Sequence, residues 1–86
     1  MELLTPSANL LLDIYKRQKS LGAGYVDWSQ LHKDYGSKLY QQAYRLALLG
    51  YIVIEGEGRG KTVKLTEKGE RISECLLSCV SLDNSL

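Results

Sequence analysis

The chain is poor in the side chains that build metal centres and catalytic sites. Its 86 residues include one histidine, His32, and two cysteines, Cys75 and Cys79. Structural zinc usually takes four Cys or His ligands at short spacings, so we predict no metal site. Paired carboxylates and nucleophile motifs are also missing. Glycines 56, 58 and 60 precede a predicted strand rather than a helix, which is the wrong context for a dinucleotide-binding loop. We therefore predict no enzymatic activity and no cofactor.

Long apolar runs are missing as well. No run approaches the roughly 18 residues of a membrane span, and Leu10-Leu11-Leu12 is too short for a signal sequence. We expect no membrane contact and a cytoplasmic location. With 44% hydrophobic and 24% charged residues, the composition is typical of one small domain over residues 1–86, whose modest core would gain from dimerisation. The ends, about 1–6 and 81–86, are expected to fray.

The net charge of +1 hides an uneven distribution. Residues 16–64 carry nine Lys and Arg against four acids, whereas residues 1–15 and 65–86 each carry a net charge of −2. A basic middle between acidic ends is typical of a nucleic-acid-facing side opposite a partner-facing or solvent-facing side. Chance clustering in a small chain is the alternative.

The first part of the chain predicts two helices with a short strand between them. Thr5 and Pro6 suit the cap and the first position of a helix that runs to about residue 21. A glycine-rich break follows, and residues 25–26 predict a short strand beside a later hairpin. Asp27 and Gln30 predict a capping box for a second helix, which should end near residues 34–36.

Residues 37–65 predict a helix, a tight stop and a β-hairpin. Ser37 can cap the helix. Gly50 ends it, since a residue without a Cβ takes the left-handed conformation at little cost. The segments 51–54 and 61–65 have the β-branched content and alternation of strands, joined by a glycine-rich turn. One apolar stripe at helical spacing should face the core: Leu39, Ala43, Leu46 and Leu49.

The opposite face of helix 37–49 carries cations, an amide and hydroxylated aromatics, all able to bond phosphates or base edges. These residues are Lys38, Tyr40, Gln41, Tyr44 and Arg45. Arg45 can bond either a guanine edge or a phosphate. Gln41 can bond an adenine edge or remain solvated. Each tyrosine can contact the sugar-phosphate wall of the groove or lie at the margin of the core. A polar face that is simply solvated is the alternative reading. On the hairpin, Arg59 and Lys61 suit contacts with the flanking DNA backbone or minor groove.

The last helix is predicted to start at Thr66 as its cap. Gly69, in its first turn, predicts a close backbone approach to the first strand or helix. Surplus apolar surface on the first and last helices predicts a dimer interface that contains Leu12, Tyr15, Ile72, Cys75, Leu76 and Cys79. Cys75 and Cys79 are one helical turn apart, so they are either two small buried hydrophobes or members of an intersubunit disulfide.

Two segments resemble the winged-helix transcription regulators related to the MarR and PadR groups, and especially small winged-helix proteins of archaea and their viruses. Residues 46–52, LALLGYI, resemble the L-x-x-x-G-[LY]-I end of a recognition helix. Residues 65–69, LTEKG, resemble the L-T-x-x-G entry into the last helix. The resemblance spans about residues 8–80. It implies a homodimer that binds double-stranded DNA and regulates transcription, with a recognition role for helix 37–49 and a wing role for residues 55–61.

We expect a mainly α fold with a small β-hairpin (α+β), ordered helix–strand–helix–helix–strand–strand–helix. The predicted function is sequence-specific DNA binding as a repressor, with no small-molecule effector evident. Glu55 and Glu57 in the wing favour an alternative, a protein–protein interaction module in a transcription or viral assembly. An intersubunit disulfide would suit a hyperthermophilic archaeon, where intracellular disulfides occur.

Overall fold

Four helices and three strands follow one another in the predicted order over residues 5–85, which the computed structural model describes except for the side chains of Arg59 and residues 79–85. The elements are α1 (Pro6–Leu21), β1 (Val26–Asp27), α2 (Trp28–Tyr35), α3 (Lys38–Leu48), β2 (Ile52–Glu55), β3 (Thr62–Leu65) and α4 (Glu67–Ser85), with a 3-10 turn at Gly58–Gly60. The predicted winged-helix architecture is therefore confirmed. The two ends of the chain, about residues 1–6 and 81–86, were expected to fray. Within them, Pro6 and residues 81–85 are helical.

Strand β3 lies between the other two strands of an antiparallel sheet. It pairs with β2 from Ile52 opposite Leu65 to Glu55 opposite Thr62. It also pairs with β1, with Val26 opposite Val63. The wing hairpin is thus tied to the segment that leads directly into α2.

The core forms where α1, α2 and α3 pack against one face of the sheet. Its buried members are Leu10, Leu11, Ile14, Val26, Trp28, Leu31, Leu39, Ala43, Leu46, Ile52 and Val63. The predicted stripe on α3 is confirmed for three of its four residues. Leu49 is 49% exposed, because α3 ends at Leu48 and Leu49 already belongs to the turn.

Two predicted helix caps are wrong. Ser37 has helical dihedrals (φ −65°, ψ −20°), whereas a capping side chain needs an extended backbone, and its hydroxyl makes no capping bond. Asp27 makes no capping bond either, so the capping box with Gln30 does not form. The first N–H of α2, from Trp28, donates to the carbonyl oxygen of Lys61 at 2.9 Å, which connects the start of α2 to the hairpin.

Helix α3 stops as its glycine predicts. Gly50 is left-handed (φ +84°). Its N–H donates to the carbonyl oxygen of Ala47 at 3.0 Å, and the N–H of Tyr51 donates to that of Leu46 at 3.0 Å. This pair of bonds is a Schellman stop, which satisfies carbonyls that the end of a helix leaves open.

The carbonyls just after this stop bond to the first turn of α4. Lys68 Nζ donates to the oxygen of Leu49 at 3.1 Å, and Thr66 Oγ1 donates to that of Gly50 at 2.6 Å. The N–H of Thr66 donates to the oxygen of Tyr51 at 3.0 Å. We call this contact of residues 49–51 with residues 66–69 the α3–α4 junction. Thr66 Oγ1 also accepts from the N–H of Gly69 at 3.0 Å, which confirms it as the cap of α4.

Arg17 joins α1 to α2 through acidic partners. Its Nε donates to Asp13 Oδ1 at 2.8 Å and its guanidinium also bonds Asp34, while the Tyr35 hydroxyl donates to Asp13. Partial burial raises the pKa of the Asp13 carboxyl, but the hydrogen bonds from Arg17 and Tyr35 outweigh it and hold that pKa below its ordinary value. This network fixes α2 against α1.

We predict that Gly69→Ala destabilises the fold, although alanine favours a helix over glycine by roughly 1 kcal/mol. A Cβ at this position would lie 1.9 Å from the carbonyl oxygen of Tyr51 and 2.8 Å from its carbon. Those are backbone atoms of the α3–α4 junction, so the helix itself must move. The expected loss is about 3 kcal/mol in the free energy of unfolding, measured by urea denaturation.

Gly24→Ala is the matched control. A Cβ at Gly24 would meet nothing within 4 Å. Its substitution should be neutral or stabilise the fold by up to about 1 kcal/mol. A Gly69→Ala variant as stable as wild type would contradict the close approach.

Candidate nucleic-acid interface

Helix α3 turns three of the predicted polar residues to solvent. Lys38, Gln41 and Arg45 are exposed, on the side away from the buried stripe. Within the described part of the chain, none of them has a hydrogen-bond or ion-pair partner. Their donors and acceptors are therefore available to a ligand that approaches this face.

The two tyrosines of α3 are held at the margin of the core. Tyr40 and Tyr44 are 45% and 48% exposed. Their ring centroids lie 5.5 Å and 6.1 Å from that of Trp28, and the ring of His32 lies 5.6 Å from that of Tyr40. Each tyrosine thus rests on the core with one side and keeps about half of its surface open to solvent.

Lys61 connects the wing to both helices of the helix-turn-helix. Its Nζ lies 4.8 Å from the centroid of the Trp28 ring, a cation–π distance, and donates to the Tyr44 hydroxyl at 3.2 Å. One predicted wing cation and one predicted recognition tyrosine therefore meet in a single cluster. We call Trp28, Tyr40, Tyr44 and Lys61 the aromatic cluster.

The acidic residues of the wing differ in their surroundings. Glu55 forms an ion pair with Lys64 at 3.4 Å, so its charge is offset. Glu57 is exposed and has no ion pair with any residue that the structure describes. The side chain of Arg59, the other predicted wing contact, lies outside the described residues.

Part of the basic middle block is neutralised locally, since three of its nine cations, Arg17, Lys19 and Lys64, form ion pairs with described acids. Arg17 pairs with Asp13 and Asp34, and Lys19 pairs with Glu70 at 3.0 Å. By contrast, Lys33, Lys38 and Arg45 make no ion pair with a described residue. Together with Lys61 of the wing, these residues give α2, α3 and the wing a positive charge that no described acid offsets by an ion pair.

The predicted dimer residues lie on α1 and α4 but differ in exposure. Ile72 and Leu76 are partly buried against the core, and the Tyr15 hydroxyl donates to Glu74 at 3.5 Å. Leu12 is only 6% exposed in the single chain, so it has little surface left for a second copy. The thiol of Cys75 is free and exposed. The side chain of Cys79 lies outside the described residues.

Two residues of this surface were not predicted. The sequence identified Trp28 only as an inward contact, but its ring supports both tyrosines and Lys61. That role depends on the pairing of β1 with β3, which helical periodicity does not reveal.

Leu48 is 88% exposed at the end of α3. Its spacing of seven residues from Gln41 is a sequence signal that would have placed it on the polar face.

Other kinds of site find no support in the described residues. Among them, no three His, Cys, Asp or Glu side chains are grouped so as to hold a metal ion. None of the described helices combines the length and the apolar character needed to span a membrane.

Comparison with known proteins finds the same architecture. The model of a family described as the ArnR1-like winged-helix domain matches residues 11–83. The crystal structure of AF1382 from Archaeoglobus fulgidus is similar, with a TM-score of 0.74 and 25% sequence identity over 93% of this chain and 91% of that one. No curated protein matches. These findings confirm the resemblance to winged-helix regulators.

We predict that Lys61→Ala uncovers the ring of Trp28, the only tryptophan of the chain. Loss of the cation–π contact should lower the free energy of unfolding by about 0.5–1 kcal/mol. Loss of the aliphatic stem over the ring should make tryptophan fluorescence easier to quench with acrylamide. Quenching and urea unfolding measure the two effects.

Lys64→Ala is the control, because Lys64 is nearby on β3 but pairs with Glu55 instead of an aromatic ring. Its tryptophan quenching should equal that of wild type. The same quenching curve in both variants would show that Lys61 does not cover Trp28.

Proposed function

Because the chain belongs to the ArnR1-like winged-helix domain family, we propose that it is a homodimeric transcription regulator that binds double-stranded DNA sequence-specifically. Winged-helix domains are generally DNA-binding regulators. The observation that carries the proposal is the exposed face of α3, where Lys38, Gln41 and Arg45 lack partners among the described residues, beside a wing fixed to the same helix by Lys61.

In this proposal, residues 37–49 form the recognition helix and lie in the major groove, which is wide enough to admit one helix. Arg45 reads a guanine edge or bonds a phosphate, and Gln41 reads an adenine edge. Lys38, at the start of the helix, contacts a phosphate. The exposed halves of Tyr40 and Tyr44 face the sugar-phosphate wall.

The wing, residues 55–61, contacts the flanking backbone or minor groove through Arg59 and Lys61. The aromatic cluster supports this role, because an amine held by Trp28 and Tyr44 loses little further conformational freedom when it meets a phosphate. Occupancy of the groove excludes other proteins from the same DNA, so we propose repression as the mode of action.

One observation favours a second candidate, a protein–protein interaction module. Glu57 is exposed on the wing and is not neutralised by a described residue, so it would repel a phosphate placed next to it. A basic partner surface would instead be attracted to it.

The deciding experiment measures binding to random-sequence duplexes at two salt concentrations for wild type, Lys38→Ala and Arg45→Ala. We expect salt-sensitive binding by wild type. Lys38→Ala should lower the slope of log affinity against log salt by about one, because one phosphate contact is lost. Arg45→Ala should cost roughly 1–3 kcal/mol on preferred sequences if it reads a guanine.

Arg71→Ala is the control, since Arg71 is an exposed cation on α4 that pairs with Glu67 at 2.7 Å and is not part of the proposed reading face. It should bind like wild type. No binding by wild type at low salt, where even non-specific contacts form, would rule out the DNA-binding proposal and favour the interaction module.

We also propose that the dimer forms through α1 and α4, with Tyr15, Ile72, Leu76 and Cys75 contributing surface. The contact between Tyr15 and Glu74 supports a continuous face made by both helices. A two-fold dimer should bind a pseudo-palindrome with half-sites about one helical turn apart. The exposed thiol of Cys75 is available for a disulfide with the second copy.

Sedimentation of wild type, Cys75→Ser and Cys79→Ser, with non-reducing electrophoresis after oxidation, tests this interface. We expect dimers in reducing buffer for all three proteins and a covalent dimer after oxidation of wild type that one of the variants lacks. Monomers at every concentration would contradict the homodimer. A monomer band in every oxidised sample would exclude only the disulfide.

A further inference from the structure

Leu48 is the most exposed of the large hydrophobic side chains that the structure describes, at 88%. It is the last residue of α3. Two other leucines of that helix, Leu39 and Leu46, are 0% and 2% exposed. Leu48 is therefore an apolar side chain on the same face as the polar Gln41 and Arg45, and no residue that the structure describes covers it.

Around the helix axis, Leu48 lies in the middle of the proposed reading face. At about 100° per residue, Leu48 lies within about 20° of Gln41 around the helix axis and opposite the buried stripe. Tyr44 and Arg45, four and three residues earlier, are its neighbours on the surface. A ligand that contacts Gln41 and Arg45 along this face therefore also meets Leu48.

The chemistry of Leu48 restricts what it can recognise there. Its side chain has no hydrogen-bond donor or acceptor, so it cannot bond a phosphate or the polar edge of a base. The major groove offers one apolar group that identifies a base, the C5 methyl of thymine. From Gln41 to Leu48 the helix rises about 10 Å, which corresponds to about three base pairs at roughly 3.4 Å each.

We infer that Leu48 contacts the methyl group of a thymine about three base pairs from the base that faces Gln41. This inference rests on the proposed DNA-binding function and adds a base preference to it. Leu48 is then a specificity-determining residue at the carboxyl end of the recognition helix.

The test first selects preferred sites for the wild-type protein from random duplexes. Each thymine of the selected site is then replaced singly by deoxyuridine, which removes the methyl and keeps the base pair. In each half-site, one of these replacements should weaken wild-type binding about fourfold, which is the effect of one lost buried methyl. Leu48→Ala should bind the parent duplex more weakly and should not respond to that replacement.

Leu49→Ala is the control, because Leu49 follows directly but is turned by about 100° away from this face. It should keep the wild-type response, and thermal melting of Leu48→Ala should match wild type because the side chain is exposed. A wild type that responds to no deoxyuridine, or a Leu48→Ala variant with the full response, overturns the inference while DNA binding stands. Absence of wild-type binding at low salt overturns the proposed function itself.

Discussion

The α3–α4 junction is the constraint on which the arrangement of the domain depends. Gly69 brings the backbone of α4 so close to Tyr51 that no side chain fits between them. The carbonyl end of α3 therefore meets the N–H end of α4, an arrangement in which the two helix dipoles attract. The contact combines the close backbone approach at Gly69 with three hydrogen bonds to the carbonyl oxygens of residues 49–51, so it holds the end of α3 against α4. The direction of the proposed reading face is thus coupled to α4, which would carry the dimer interface.

The sequence predicted this junction better than it predicted the helix caps elsewhere. Gly50 and Thr66 act through their own backbone or hydroxyl within one turn, so their roles follow from local chemistry. Gly69 contacts the distant Tyr51, and the sequence signal for that contact was the unfavourable placement of a glycine inside a helix. The predicted caps at Ser37 and Asp27 do not form. Ser37 is already helical, whereas a capping residue has an extended backbone, and Asp27 is extended but its side chain makes no capping bond. The two segments that carried the family resemblance, 46–52 and 65–69, prove to be the two sides of this one contact.

Helical periodicity identified which side chains of α3 face outward, but it could not show what they touch. Lys61 meets Trp28 and Tyr44 only because β3 pairs with β1, and that register is a long-range property of the fold. The summed charge of residues 16–64 was a misleading guide to the positive charge left for a ligand, because ion pairs are also long-range properties of the fold. Arg17, Lys19 and Lys64 count toward the basic middle block, yet each lies against an acid. The residues that could carry function were therefore predictable, whereas their electrostatic environment was not.

Among the described residues, α2, α3 and the wing carry few cations without an acidic partner. Affinity for DNA grows with the number of phosphates that are neutralised, and Lys33, Lys38, Arg45 and Lys61 offer few such contacts. A single domain with this surface would bind weakly, and base contacts by Gln41, Arg45 and Leu48 would contribute a large share of its discrimination. Two domains held at a fixed spacing bind the second half-site at a high effective concentration. Weak single-domain binding therefore makes the rigid α3–α4 junction more important, because it would set the spacing and direction of the two recognition helices together.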